Sequence, residues 1–352
     1  MPISEMFRIS DCLCSAQTHC YADAWIHPRG ASMRSHWGWW GPLAVGELKN
    51  APLFEFLLSP STKLRLTARA RALCQRVLRW KPMLSSSRLT LSLKHLDRWR
   101  EVPRCFREFE ESIALLANYV GLSHMTMPTM ARHRSGLRLR IDEFGDLEAI
   151  WQIFLRRVYE VRPADRVIVD AGGNVGMFSC YASWRAPQSR ILTIEPFPKS
   201  VERLRTHIAE NRLDERVTVL DRALTAGPSE VLMPLDTPSS QQKPVLHGRT
   251  EGKTVVRVPS LPLSEAVATL PERIDLLKMD IEGSEFEVLL HTPHTTLQRF
   301  RRINVEHHEP PAGTSYSKTG LIAHLEQTGF TVRQYAGAPG DAYGILHCEQ
   351  PN

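Results

Sequence analysis

The sequence predicts an α/β fold in which a mostly parallel sheet is covered by helices, with a mainly helical extension ahead of it. Three observations carry that prediction. From about residue 135 onward, short apolar runs of strand length alternate with stretches of helical period, the pattern of parallel strands joined by crossover helices. The run "VIVDAGGNVGMFS" (167–179) passes from an apolar strand through three glycines into a second apolar segment, the strand, bare backbone and helix start of a nucleotide-type turn. The predicted strands also end on acids, at the edge where ligands of open α/β sheets bind.

Taken in order, residues 1–60 mix Trp, Cys, His, Pro and Gly without sustained periodicity and predict an irregular or poorly ordered segment. Residues 61–134 predict a basic helical extension. In "TKLRLTARARALCQRVLRW", Leu66, Ala70, Leu73, Val77 and Trp80 recur at near-helical spacing, and Lys63 to Arg107 hold 13 Lys or Arg against Asp97 and Glu101. Such a helix either packs on the main domain with its arginines in water or lies against an anionic membrane through residues 63–107. "WREVPRCFREFEESIALLANYVG" continues as helix, and "SGLRLRIDEF" alternates as a strand. Asp146 is expected to cap the helix of "DLEAIWQIFLRRVYE", whose apolar stripe is Ile150, Trp151, Phe154, Leu155 and Val158.

The main domain is assigned to 135–352. It reads as strand "RVIVD", a helix from about 176, strand "RILTIE", helix "PKSVERLRTHIAEN" and strand "RVTVL". "SEVLMPL" and "KTVVRV" form a hairpin-like pair around a long polar, lid-like stretch. "IDLLKMD", helix "SEFEVLLH", "RINVEH", helix "TGLIAHLEQTG" and the strands "FTVRQY" and "YGILHCE" complete the series.

Composition narrows the class. A net charge of +6 is concentrated in the extension, and seven scattered cysteines make no disulfide framework, so a cytoplasmic protein is expected. Cys12, Cys14, His19, Cys20 and His27 follow no usual zinc spacing. No secretory leader, membrane-length apolar run or nucleic-acid-binding signature is read.

The acids at the strand ends are Asp170, Glu195, Asp221, Asp280 with Glu282, and Glu306 followed by His307 and His308. A nicotinamide-binding loop usually has glycine where Ala171 stands, and an acid at Asp170 would repel a diphosphate. A ligand with a cationic end is expected instead, and S-adenosylmethionine, with ammonium, sulfonium and ribose but no phosphate, fits. Glu195, suitably spaced after the loop, is expected to accept the ribose hydroxyls.

Four segments, "VIVDAGGNVGMFS", "TIEPFPKSVERLRTHIAEN", "IDLLKMDIEGSEFEVL" and "INVEHHE", resemble in order and spacing the FkbM-like methyltransferases of the class I S-adenosylmethionine-dependent fold, over roughly residues 130–350. The resemblance implies a Rossmann-like sheet of seven strands with the last antiparallel. It implies that Asp170, Gly172, Gly173, Asn174 and Gly176 meet the methionine end of the cofactor, Glu195 the ribose, and Pro196 and Phe197 the adenine side, with Asp221, Arg222 and Ala223 near the adenine ring. Where this chain has Gly173 the family more often has Ala, a difference expected not to hinder binding.

Methyl transfer from a sulfonium is an in-line displacement that depends on positioning, and an alcohol acceptor is helped by a base or a metal ion. Asp280, Glu282 and His308 are expected around an acceptor hydroxyl, with His308 or Glu282 as base. Glu306 and His308 share a strand face, as do Lys278 and Asp280. A divalent ion on this oxygen-rich set is a variant of the same site, with no dedicated metal ligand assigned. Tyr159 and the stretch Gln241–Gly248 are further acceptor contacts. The expected activity is O-methylation of a sugar, glycolipid or polyketide hydroxyl. The alternatives are an NAD(P)-binding oxidoreductase and a non-catalytic nucleoside-binding module.

Overall fold

The computed structural model describes residues 101–234, 254–310, 313–336 and 344–351, within the compact unit that begins at Ser85. The segment 1–60, the basic stretch before residue 101 and the lid-like stretch Gln241–Gly248 lie outside the described residues.

Two short helices open the described chain, α1 (Val102–Glu108) with a proline in its first turn and α2 (Ser112–Tyr119). A hairpin follows, β1 (Thr129–Arg132) against β2 (Arg138–Ile141). Sequence pattern found β2, whose Arg-Leu-Arg-Ile alternates, but not β1, whose Thr-Met-Ala-Arg does not. Cys105, Phe109 and Leu115 belong to the same apolar cluster as Phe154 and Tyr181, and the Phe109 and Phe154 rings meet edge to face at 5.8 Å. The described part of the extension thus shares a core with the α/β unit.

Helix α3 (Phe144–Ile150) runs into a π-helical turn, Trp151–Arg156, that ends on Arg157 in the left-handed region at φ 58°. Glu143 is the N-cap and Asp146 the third helical residue, which corrects the expected cap. The reason is local, since the Asp146 carboxylate reaches back to accept the N–H groups of Asp142 (2.7 Å) and Glu143 (3.0 Å), as the acid of a capping box does.

The remaining elements alternate as expected: β3 (Val167–Ala171), α4 (Met177–Arg185), β4 (Arg190–Ile194), α5 (Pro198–Glu210) and β5 (Val217–Leu220). Next come β6 (Ala223–Leu224), β7 (Ser229–Pro234), β8 (Val255–Leu261) and α6 (Leu263–Ala266). β9 (Ile274–Met279), α7 (Glu285–His291), α8 (His294–Leu297), β10 (Phe300–His307), α9 (Lys318–Gln327), β11 (Thr331–Ala336) and β12 (Gly344–Glu349) complete the described chain.

One seven-stranded sheet has the order β11-β12-β10-β9-β3-β4-β5. Its described pairings are parallel except those of β12, which runs antiparallel to β10 and β11. β6, β8 and β7 form a separate small sheet, with β7 and β8 antiparallel. Alternation along the strands divides the core: Ile168 and Leu276 join the cluster containing Phe178 and Tyr181, whereas Val169 and Leu277 join that containing Phe286 and Leu289. Strand order reverses between β3 and β9, since β3 leads to β4 and β5 on one side and β9 leads to β10 on the other. The crevice beyond the carboxyl ends at this reversal is where a ligand is received.

Candidate active site

The loop after β3 owes its path to two close contacts. Gly172 has φ 80°, and a Cβ on it would lie 1.7 Å from the carbonyl oxygen of Asp280, so only glycine lets the loop press against the end of β9. The N–H groups of Gly172 and Gly173 donate to the Ile194 carbonyl at 2.9 and 3.0 Å, tying the loop to the end of β4. Gly173 and Gly176 face inward instead: a Cβ at 173 would meet Thr193 Cγ2 at 2.2 Å, and one at 176 would meet Leu204 Cδ1 at 2.7 Å. The room an alanine would need at position 173 is therefore taken by Thr193 in this chain.

Beneath the loop lies a buried polar chain. Asp170 is fully buried. Its Oδ2 accepts from Ser179 Oγ at 2.7 Å, Ser179 Oγ lies 2.6 Å from Thr193 Oγ1, and its Oδ1 faces Lys278 Nζ at 3.3 Å. Lys278 also donates to the Gly172 carbonyl at 2.6 Å and stands 4.0 Å from Asp280 Oδ2. Burial works against the Lys278 charge, but the carboxylates of Asp170, Asp280 and Glu306 outweigh it and hold the ammonium above its usual range. The Asp170 carboxylate, expected at a cationic ligand end, here faces the internal cation Lys278, which in turn meets the loop at the Gly172 carbonyl.

At the end of β4, Glu195 is held by two backbone donors, Asn174 N–H to Oε2 (2.8 Å) and Phe197 N–H to Oε1 (2.9 Å). Burial pushes its carboxyl up to about 7 against the pull of those two N–H groups. Each oxygen retains acceptor capacity, which suits a vicinal diol.

On the other side of the reversal, Asp280 and Glu282 follow β9, with Glu282 itself left-handed at φ 55°. Tyr159, two residues beyond the left-handed Arg157, donates its hydroxyl to Glu306 Oε2 (2.5 Å) and to Asp280 Oδ2 (3.3 Å). His308 puts Nδ1 3.0 Å from Glu285 Oε1 and Nε2 3.5 Å from Glu282 Oε2. Burial disfavours the His308 charge, but Glu285, Asp280 and Glu282 reverse that and push its pKa up to about 9. Such a shift favours the imidazolium near neutral pH, which leaves the neighbouring carboxylates as the groups better placed to accept a proton. Asp280, Glu306 and His308 each offer one atom within 4.8 Å of the others. In this grouping Glu306 stands where the sequence reading had Glu282, and the Lys278 ammonium lies beside it.

A cleft with an empty volume of about 650 Å³, including its open mouth, joins the two sides. Its walls include Gly172, Asn174, Glu195, Pro196, Arg222, Ala223, Asp280 and Glu282, with Leu224, Met233 and Ile281 supplying apolar surface. Several expected residues are elsewhere. Asp221 is exposed and paired with Arg205 (3.5 Å) and Arg222 (3.2 Å). Phe197 is buried in a cluster with Val231, Met233 and Val258. Glu306 and His308 are not among the wall residues and join them at one remove, Glu306 through Tyr159 to Asp280 and His308 by facing Glu282. Lys278 and Glu285 were missed as site residues, the first because its partner stands 108 positions earlier, the second because it reads as an ordinary first-turn helix acid. Three wall carboxylates against Arg222 suit a cationic ligand better than a diphosphate.

The same part of the chain is similar in sequence to known methyltransferases. The family described as "Methyltransferase FkbM domain" matches residues 170–332. The chain is 29% identical over 212 residues to methyltransferase sdnD of Sordaria araneosa, covering 51% of this chain and 80% of that protein. It is 30% identical over 209 residues to 31-O-demethyl-FK506 methyltransferase FkbM of Streptomyces tacrolimicus, covering 51% and 77%. Among solved structures, a methyltransferase FkbM from Methylobacillus flagellatus KT aligns with 12% identity and a TM-score of 0.38, over 59% of this chain and 55% of that one. The nicotinamide alternative is thereby set aside, and the chain belongs to the FkbM family of S-adenosylmethionine-dependent methyltransferases.

Proposed function

We propose that this protein methylates a hydroxyl oxygen of a small molecule, of sugar, glycolipid or polyketide type. The observation that carries the reading is that Asp280 and Glu282 line the same cleft as Gly172 and Glu195, so acids able to take a hydroxyl proton stand beside the cofactor loop. One relative's name, 31-O-demethyl-FK506 methyltransferase, puts that protein's methyl group on an oxygen.

In this reading Glu195 accepts the ribose hydroxyls, Asn174, Pro196, Arg222 and Ala223 line the nucleoside, and Leu224, Met233 and Ile281 meet its apolar face. The acidic wall attracts the ammonium and sulfonium. When bound, S-adenosylmethionine supplies an electrophilic methyl group whose carbon–sulfur bond breaks as the oxygen–carbon bond forms, leaving a neutral thioether. Glu282 accepts the hydrogen bond of the acceptor's hydroxyl and takes that proton as the oxygen–carbon bond forms, and Asp280 adds its negative charge to the same cleft. Tyr159 links the two acids, its hydroxyl close to Glu306 and within reach of Asp280. Lys278 and His308 are cations that balance the surrounding acids, a role that a divalent ion would otherwise fill. The reading therefore assigns no metal to the site.

The test has two parts. Calorimetry should record binding of S-adenosylhomocysteine and none of NADH, and the reverse result sinks the cofactor assignment. A labelled-methyl screen over hydroxylated sugars and polyketides should yield an acid-stable ether. Cofactor binding with no transfer to any of them would favour the non-catalytic module, and an N- or C-methyl product would overturn oxygen as the acceptor.

A further inference from the structure

We propose that Glu285 is the positioning residue of this site, one buried carboxylate that fixes both the loop Ile281–Gly283 and the ring of His308 and so aims Glu282 into the cleft. It rests on the reading of Glu282 as the acid that meets the acceptor. No part of Glu285 reaches solvent. Its side chain turns back from the first residue of α7 and collects four donor contacts. Oε1 accepts from Ile281 N–H (3.0 Å) and Gly283 N–H (3.1 Å), Oε2 accepts from Gly283 N–H (3.0 Å), and His308 Nδ1 lies 3.0 Å from Oε1.

The loop so gripped is one that would not hold its shape unaided. Glu282 and Gly283 are both at positive φ, 55° and 106°, and a glutamate in the left-handed region persists only where its surroundings over-determine it. The N-cap residue Ser284 makes no side-chain cap hydrogen bond. Within the turn the Ser284 N–H meets the Ile281 carbonyl at a long 3.5 Å, so the closer restraint is the Glu285 carboxylate. His308 extends the same device outward, with Nδ1 on Glu285 and Nε2 3.5 Å from Glu282. This is the arrangement by which a buried acid orients an imidazole toward a working group. Burial opposes the Glu285 charge, but His308 and the Gly283 N–H overcome it and keep the carboxyl below its usual range.

The two halves of the device separate by substitution. In Glu285→Gln the amide oxygen still accepts a backbone N–H but the charge facing His308 is gone, whereas Glu285→Ala removes both. Hydrogen exchange of the segment 280–284 in the full chain should quicken at least about tenfold in the Ala variant and be largely restored in the Gln variant. The imidazole ¹⁵N signals of His308, assigned with a His308→Asn variant at pH 7.5, should leave the doubly protonated pattern in both. In the Gln variant, which keeps the loop in place, S-adenosylhomocysteine affinity should stay within about threefold of the parent. If the Ala variant fails to fold, the Gln variant decides through the His308 signals. Loop exchange within twofold in the Ala variant, or His308 signals unchanged in the Gln variant, overturns the proposal. So does a loss of protection spread across the whole domain, which would make Glu285 a general element of stability. A parent protein that ignores S-adenosylhomocysteine sinks the cofactor reading alone, because the exchange and imidazole comparisons still decide the role of Glu285.

Discussion

Gly172→Ala is the substitution whose cost can be worked most directly. The added Cβ would stand 1.7 Å from the Asp280 carbonyl oxygen and 2.7 Å from its carbon. Neither is the tip of a flexible side chain, so the loop and the end of β9 must part by more than an ångström. Overpacking of this kind costs about 1–3 kcal/mol, and an alanine in the left-handed region adds about 1 kcal/mol. For a domain of this size, a total of about 2–4 kcal/mol lowers Tm by roughly 5–15 °C. Gly283→Ala is the control, since Gly283 also has positive φ, 106°, but nothing lies within 4 Å of the added carbon. Its cost is backbone strain alone. Thermal unfolding with and without S-adenosylhomocysteine, together with calorimetry, should find Gly172→Ala the less stable of the two and the one that loses affinity. Equal melting temperatures and equal affinities in the two variants would refute the reasoning, because the carbonyl contact would then carry no cost.

Other expectations follow from the same geometry. Glu195→Gln should weaken S-adenosylhomocysteine binding about 10- to 100-fold, the worth of charged hydrogen bonds to two hydroxyls, read by calorimetry. With the parent carboxyl near 7, affinity should tighten from pH 6 to pH 8 and lose that dependence in the Gln variant. Because its folded value is raised, the stability Glu195 contributes to the cofactor-free protein is complete below about 4.5 and is lost as pH rises through about 7, which melts at pH 4.5 and pH 8 should register. Glu282→Gln should lower methyl transfer about 10²- to 10⁴-fold with unchanged cofactor affinity, and His308→Ala should lower turnover in the same manner. Unchanged turnover would remove either residue from the mechanism. Chelation should leave the transfer rate unaltered, whereas loss on chelation and recovery with magnesium would assign the Asp280, Glu306 and His308 group to an ion.

Much of the architecture was legible because it depends on local periodicity. The strand of "RVIVD", the glycine turn and the helix stripe of Val201, Leu204 and Ile208 each follow from residues close in the chain. What could not be read is what the sheet brings together. Asp170 looked like a wall residue because the sequence says that it ends a strand, not that β9 sets Lys278 opposite it. Asp221 looked equivalent to the other strand-end acids, yet β5 is the edge strand and its end opens to water. The π-helical turn was hidden because its side chains keep the apolar stripe of an ordinary helix. Glu285 was hidden because a side chain that turns backward to its own loop leaves no periodic signature.

The pairing of Asp170 with Lys278 across β3 and β9 also bears on how the chain finds its fold. Strand register has a period of two, so a slip by one position between these strands would turn the partners to opposite sides of the sheet. Each charge would then be stranded alone in apolar surroundings, a penalty of about 3–5 kcal/mol. Hydrophobic residues tolerate such a slip far more readily than this pair does. The two ionic groups thus act as a key cut for one alignment, rejecting misassembled sheets at the seam where the halves of the molecule join.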